Sequence, residues 1–279
     1  MKTEEISRLF DETLNWIAKS RLQKDGRAEY NEMYRYGLGE KRRYLTTLMF
    51  VNSAIQPLGY KAKILDIGCG AGLMALMFKR IGLEVSTTEI ADPPPIKNYG
   101  LLLKKTLHSN NITFNEYNII SDNIPFANET FDFVYMGALF EHLPSHHKKG
   151  IQEARRVLKK GGYLIIDTPN IAYFANRIKL LLGRPILAPI EQFYNIDGYV
   201  GHYREFTLEE MQSVLKYSGF EVAKRKMLNL SLSPVLKYSE GLSRTGKFLE
   251  VITFYVSTVI SSFLTQTRQC IWIVGKKLD

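Results

Sequence analysis

Only two cysteines, Cys69 and Cys270, occur in 279 residues. So few exclude a disulfide framework, and a reducing, cytoplasmic setting is expected. Long hydrophobic runs are also missing. A spanning helix needs roughly 18–20 apolar residues in a row, and the longest candidate, Val251 to Leu264, is shorter and carries Thr and Ser. The opening stretch MKTEEISRLFDETLNW is charged and lacks a continuous apolar core, so it does not read as a signal peptide. There is no internal repeat and no low-complexity tract.

What is plentiful is basic charge. Lys and Arg number 37 against 28 Asp and Glu, a formal net charge of +9. Apolar residues make up 45% and charged residues 23%, ordinary values for a folded globular chain. The excess hints at an acidic partner: nucleic acid, a phosphate-bearing substrate or an anionic membrane surface. It is uneven. Residues 171–279 hold 14 basic and 9 acidic groups, net +5, whereas 1–60 and 61–170 are each net +2.

Hydrophobic spacing divides the chain. Helical periods cover residues 4–18 and 40–55. Short apolar runs then alternate with helical ones: strand 63–67, helix 73–81, strand 83–90, helix 98–107, strand 112–117, strand 131–136, helix 148–158 and strand 163–167. Pro93–Pro95 force an extended loop after the second strand. Gly161-Gly162 is expected to end the 148–158 helix. A helix over 171–182 and a Gly/Pro/aromatic stretch to 206 interrupt the pattern. It resumes with helix 208–218, strand 220–227, an apolar helix at about 245–264 and a closing strand at 270–275. Such alternation predicts βαβ units and a parallel sheet covered on both faces. The expected organisation is an N-terminal helical extension, 1–60, and one domain, 61–279, with a lid inserted at about 171–206.

The informative motif is Asp66-Ile67-Gly68-Cys69-Gly70-Ala71-Gly72, between the first strand and its helix. Its glycines allow a tight turn and close approach of a ligand. The dinucleotide pattern G-x-G-x-x-G would need glycine at Leu73, and a P-loop ending is absent. Asp66 beside the loop would repel a pyrophosphate but suits an ammonium group and a positive sulfur. Glu89, ending the second strand, stands where a carboxylate can accept both hydroxyls of an adenosine ribose. Together they describe an adenosine cofactor without phosphates, S-adenosylmethionine rather than NAD.

ILDIGCGAG resembles the cofactor motif of class I S-adenosylmethionine-dependent methyltransferases. IPFANETFDFVYMGALFEHLPSHHKKGIQEARRVLKKGGYLIIDTPN and GHYREFTLEEMQSVLKYSGFEV are similar to later parts of the type-11/type-23 small-molecule branch. The resemblance covers about residues 60–228. It implies an α/β, Rossmann-like fold: a seven-stranded, mostly parallel sheet with an antiparallel last strand and helices on both faces. It implies that Asp66, Gly68, Cys69, Gly70 and Gly72 surround the methionyl part and that Glu89, with Ile90 beside it, holds the ribose. Asn118 and Ile119 stand where the family contacts adenine, although Asn118 replaces the usual Asp and Asp122 is a nearby alternative. Met136 and Gly137 would flank the transferable methyl.

Two histidines are candidate catalytic groups. His142 lies just past the fourth strand's carboxyl end, where α/β ligands bind. His202 follows the insertion and could reach over the site. Each could equally be a structural hydrogen-bonding group. Arg204 is either an anion clamp or a partner of Glu205 or Glu209. His146-His147 beside Lys148-Lys149 reads as a solvated loop and helix start, and no metal site is expected. Cys69 is small enough for the loop, and the Tyr30–Tyr36 stretch either packs helices or caps the ligand.

The segment 171–187, IAYFANRIKLLLGRPIL, mixes Arg177, Lys179 and Arg184 with Ile, Phe and Leu. It reads as a lid helix with one face on the core, or as a contact for a lipid, a glycan phosphate or a membrane surface. Helix 245–264 has the same ambiguity. The expected partner is a small-molecule acceptor, a lipid, quinone or glycan intermediate. Nucleic acid is not expected, because Met136-Gly137-Ala138-Leu139 lacks the Asn/Asp-Pro-Pro-aromatic motif of base-methylating enzymes. The alternatives are an RNA or DNA methyltransferase, a non-catalytic S-adenosylmethionine-binding protein and an NAD oxidoreductase.

Overall fold

The structure is a computed structural model. It describes residues 1–279 except 26, 91–98, 145–146, 188–189, 196–200, 231–243 and 279. Two helices open the chain, α1 (Thr3–Asp25) and α2 (Arg27–Ile55). The core follows as β1 (Lys63–Ile67), α3 (Leu73–Arg80), β2 (Glu84–Glu89), α4 (Tyr99–Ser109), β3 (Thr113–Glu116), β4 (Phe131–Gly137), α5 (His147–Val157) and β5 (Leu158–Pro169). The later part holds α6 (Phe174–Leu181), α7 (Ile190–Asn195), α8 (Leu208–Tyr217), β6 (Phe220–Leu228), α9 (Arg244–Phe263) and β7 (Cys270–Lys277).

The strands form one seven-stranded sheet in the order β3-β2-β1-β4-β5-β7-β6. Strands β1 to β5 run parallel, and β7 is antiparallel to both β5 and β6. The mostly apolar runs are explained by burial on both faces, as in β4, where Phe131 to Met136, Asp132 included, are all buried. On one face Ile6, Phe10 and Leu14 of α1 and Leu48 and Val51 of α2 share a core with α3 and the sheet. On the other, Ile151 and Val157 of α5 and Met211 and Leu215 of α8 form the second core. Helix α8 starts on a capping box, in which Thr207 and Glu210 satisfy each other's backbone N–H groups.

Strand positions match the hydrophobic pattern, and the differences have local causes. Gly161-Gly162 does not separate a helix from a strand: β5 begins at Leu158 and runs through both glycines. Leu158 already pairs with Phe131, and a register shift next to it absorbs the bend. A side chain on Gly162 would press on the carbonyls of Lys159 and Asp132, at 2.9 and 3.0 Å. Helix α6 starts at Phe174 rather than Ile171. Asn170 holds the entry as a turn, its side-chain oxygen accepting the Ala172 N–H at 3.1 Å and its carbonyl the Tyr173 N–H at 2.9 Å. Helix α2 begins at Arg27, so the Tyr30–Tyr36 stretch is helical backbone. Pro93–Pro95 and His146 lie outside the described residues. No described helix is long and apolar enough to cross a membrane.

Candidate functional site

The site lies at the carboxyl edge of the parallel strands, between β1, β2, β4 and β5. Backbone N–H groups of Gly68 and Cys69 donate to the Thr88 carbonyl at 2.9 and 3.2 Å, which pins the turn after β1 against β2. Gly70 has φ +49°, and a Cβ built on it meets nothing within 4 Å, so its α-carbon faces open space. The Gly70 N–H donates to Glu89 Oε2 at 2.8 Å and the Ile90 N–H to Oε1 at 3.0 Å. Thus the carboxylate at the end of β2 and the glycine turn form one unit. Burial pushes the Glu89 carboxyl up, partly offset by these two donors.

Asp66 is buried, and its Oδ2 has no hydrogen-bond partner among the described residues. Burial, with the nearby charges of Glu89 and Asp167, raises its carboxyl to about 8. A buried orphan oxygen is costly unless something fills the space before it. Burial also drives the Cys69 thiol up, so it is a neutral small residue in the turn. A cavity of about 190 Å³ lies here. Its walls are Asp66, Gly68 to Ala71, Gly137 and Ala138, and the N-terminal helices add Leu14, Gly37, Arg43 and Tyr44.

Sequence reasoning missed that helical contribution. Arg43 is buried and donates to Glu40 and, across the fold, to Asp167 at the end of β5. Asp167 Oδ2 also accepts the Tyr135 hydroxyl at 2.7 Å. A Cβ on Gly137 would stand 2.1 Å from that hydroxyl, so only glycine leaves Tyr135 room there. Burial works against the Arg43 charge, but the facing Asp167 and Glu40 carboxylates outweigh it and keep the guanidinium charged. The sequence signal for this network is a basic run, Lys41-Arg42-Arg43, within the helix expected over residues 40–55.

Other sequence-predicted residues sit apart from the cavity. Asn118 closes a turn, its Oδ1 accepting the Ile120 N–H and its own N–H donating to Asp122 Oδ2, both at 2.9 Å. Ile119 and Met136 are buried in the core beneath α5 and α8. Ile90 does not line the cavity.

The two histidines do come together. Their ring centroids are 4.9 Å apart at 75°. His142 sits on a short 3-10 turn, Phe140–His142, directly after β4, and its Nδ1 lies 3.2 Å from the Gly201 carbonyl. A carbonyl only accepts, so Nδ1 carries a proton and Nε2 is the basic nitrogen of the neutral ring. His202 Nδ1 lies 2.7 Å from Glu205 Oε1. Burial disfavours the His202 imidazolium, but the bond to Glu205 and the charge of Glu141 prevail and raise its pKa.

Beneath them Glu141 is fully buried, with Oε2 accepting the Thr168 hydroxyl at 3.0 Å and Oε1 lacking a partner among the described residues. Burial lifts its carboxyl to about 7. Glu141, His142 and His202 each offer a ligand atom within 4.8 Å of the others, close enough to share a cation. Consecutive β5 residues serve the two clusters: Asp167 faces Arg43 and Tyr135, and Thr168 faces Glu141.

Two expectations are corrected. His147 does start α5, but it is half-buried rather than solvated, packing on Phe140 and Phe206 with ring centroids at 4.8 and 5.9 Å. Arg204 pairs with Glu210 at 2.8 Å, not with Glu205 or Glu209, because Glu205 is taken by His202.

Comparison with known proteins agrees with this architecture. A family model described as a methyltransferase domain matches residues 36–225. The mouse mitochondrial ubiquinone biosynthesis O-methyltransferase is 27% identical over 167 residues, 57% of this chain and 41% of that protein. The ubiquinone biosynthesis O-methyltransferase of Xanthomonas axonopodis pv. citri is 29% identical over 123 residues, 44% of this chain and 48% of that one. The chain spans about half the length of these curated relatives. Among solved structures, an S-adenosylmethionine-dependent methyltransferase from Methanosarcina mazei shares the fold at TM-score 0.53 and 23% identity, covering 82% of this chain and 97% of that one. With most of the core matched by the family model and the seven-stranded sheet in place, the chain belongs to the methyltransferase-domain family, the class I S-adenosylmethionine-dependent methyltransferases.

Proposed function

We propose that the protein transfers a methyl group from S-adenosylmethionine to a small-molecule acceptor carrying an ionisable hydroxyl. The observation that carries this reading is the cavity where the Glu89–Gly70 unit, the orphan Asp66 oxygen and the open face of Gly70 converge. These residues fit a cofactor with a ribose diol, an ammonium group and no phosphate. The names of the ubiquinone biosynthesis O-methyltransferases support a hydroxyl acceptor of lipid or quinone type.

The bound cofactor supplies a methyl group already activated on a positive sulfur, so the protein's work is alignment and exclusion of water. Glu89 accepts the ribose hydroxyls. Asp66 ionises against the ammonium group, which relieves its burial. The turn from Gly68 to Gly72 lets the backbone approach the methionyl part, while Gly137 and Ala138 close the floor. Helices α1 and α2, within the extension over residues 1–60, roof the cavity, and Gly201 and His202, near the end of the insertion, stand beside His142 on the acceptor side. Peripheral contact with a membrane, through the segments near 171–187 or 245–264, belongs to the same reading.

His142 takes the acceptor proton on Nε2, and His202, held by Glu205, positions it. His142→Ala is expected to lower kcat about 100-fold, at the low end of the usual span for general-base catalysis, and His202→Ala, a positioning change, only about 10-fold. Both variants should bind S-adenosylhomocysteine as the unmodified protein does. The test is single-turnover methyl transfer to a catechol-type acceptor alongside calorimetric titration. Normal turnover in both variants would remove the pair from the mechanism.

A further inference from the structure

Helix α9 is built inside out. Its buried side carries Glu250, Phe254, Ser257 and Ser261 at helical spacing, with both serines fully buried. Its opposite side, Phe248, Ile252, Tyr255, Val259 and Phe263, is exposed, Phe263 by 83%. From Phe248 to Thr267 the sequence has one charged residue, Glu250, and it is spent on Lys179 of α6 at 3.0 Å. That ion pair joins the two helices, which pack together. At the end of α6, Leu180, Leu181 and Leu182 are all exposed, Leu181 by 86%. The two apolar segments are therefore neighbours on one surface, far larger than scattered surface leucines would make.

We propose that this composite α6–α9 face docks on an anionic membrane surface. The proposal deepens the peripheral contact included in the functional reading above and rests on it, by naming one surface and the lipid charge it meets. Helix α9, about 30 Å long for its 20 residues, does not qualify as a membrane span, so it lies in the interfacial plane. Consecutive leucines standing well out of the surface suit insertion among acyl chains. The rim is basic: Arg177 and Arg184 are exposed, and neither meets a carboxylate among the described residues. A second copy is the poorer occupant. A two-fold contact would set this patch against itself and bring arginine rim to arginine rim with no acid between. Because α6 leaves the carboxyl end of β5, docking would hold the acceptor side of the cavity toward the lipid.

The test is flotation of the full chain with vesicles of phosphatidylcholine alone and of phosphatidylcholine with phosphatidylglycerol. Binding is expected on the anionic vesicles, weakening as salt rises. The double variant Leu181→Glu/Phe263→Glu should lower partitioning at least about tenfold. Both side chains are almost wholly exposed, so melting temperature and S-adenosylhomocysteine affinity should not change. No partitioning at low salt, or equal partitioning of the variant, would overturn the proposal. So would light scattering that shows a dimer which the variant dissociates. S-adenosylhomocysteine binding, measured on the same samples, reports on the cofactor site separately, so either reading can fail alone.

Discussion

Replacing Glu89 with alanine should raise the Kd for S-adenosylhomocysteine at least about 100-fold, the loss expected when two charge-assisted hydrogen bonds disappear. The carboxylate does two things here. It accepts N–H groups from Gly70 and Ile90, which fix the turn, and through Gly70 it adjoins the cavity, where the proposed ribose would meet it. Glu89→Gln keeps the shape and one acceptor oxygen, so its loss should fall between. The fold should survive both changes, because the turn is also tied to β2 through Thr88. Calorimetric titration of the two variants, with melting curves as the control, measures this. An unchanged Kd in Glu89→Ala would show that the cofactor does not sit at this strand end.

The largest stability effect is expected at Arg43. Its guanidinium is buried between Asp167 and Glu40, and Asp167 is itself 1% exposed. Arg43→Met leaves two carboxylates buried without a cation, which costs about 3–5 kcal/mol. That corresponds to a fall in Tm of roughly 10 °C for a chain of this size. The double change Arg43→Met/Asp167→Asn removes one of the stranded charges and should recover part of the loss. Denaturant unfolding of the single and double variants reads the coupling. If Arg43→Met loses less than about 1 kcal/mol, the buried pair does not hold α2 against the sheet.

This pair also marks the limit of what the sequence discloses. Strands such as Ile64–Ile67 and Phe131–Met136 were legible because burial on both faces demands mostly apolar runs, broken here only by Asp66 and Asp132. The glycine turn and Glu89 were legible because chemistry and backbone geometry restrict residue types within a short span. Arg43 and Asp167 are 124 residues apart, and nothing local to either tells that they meet. The pairing of His142 with His202 is similar: each was visible singly, and only the fold brings them to 4.9 Å. The start of β5 was misplaced because Gly161-Gly162 is a strong helix stop by local rules, and a strand bend overrides it only through pairing with β4. The inverted polarity of α9 was invisible for the same reason, since a periodic pattern does not say which side faces the protein.

We propose that the Gly68–Gly72 turn, Asp66 and Glu89 form a site for an adenosine cofactor with an amino-acid tail and no phosphate. Calorimetric titration of the unmodified protein with S-adenosylhomocysteine and, separately, with NAD tests it most directly. S-adenosylhomocysteine should bind at one site per chain and NAD should give no heat of binding. Binding of NAD, or no binding of S-adenosylhomocysteine, would contradict the account.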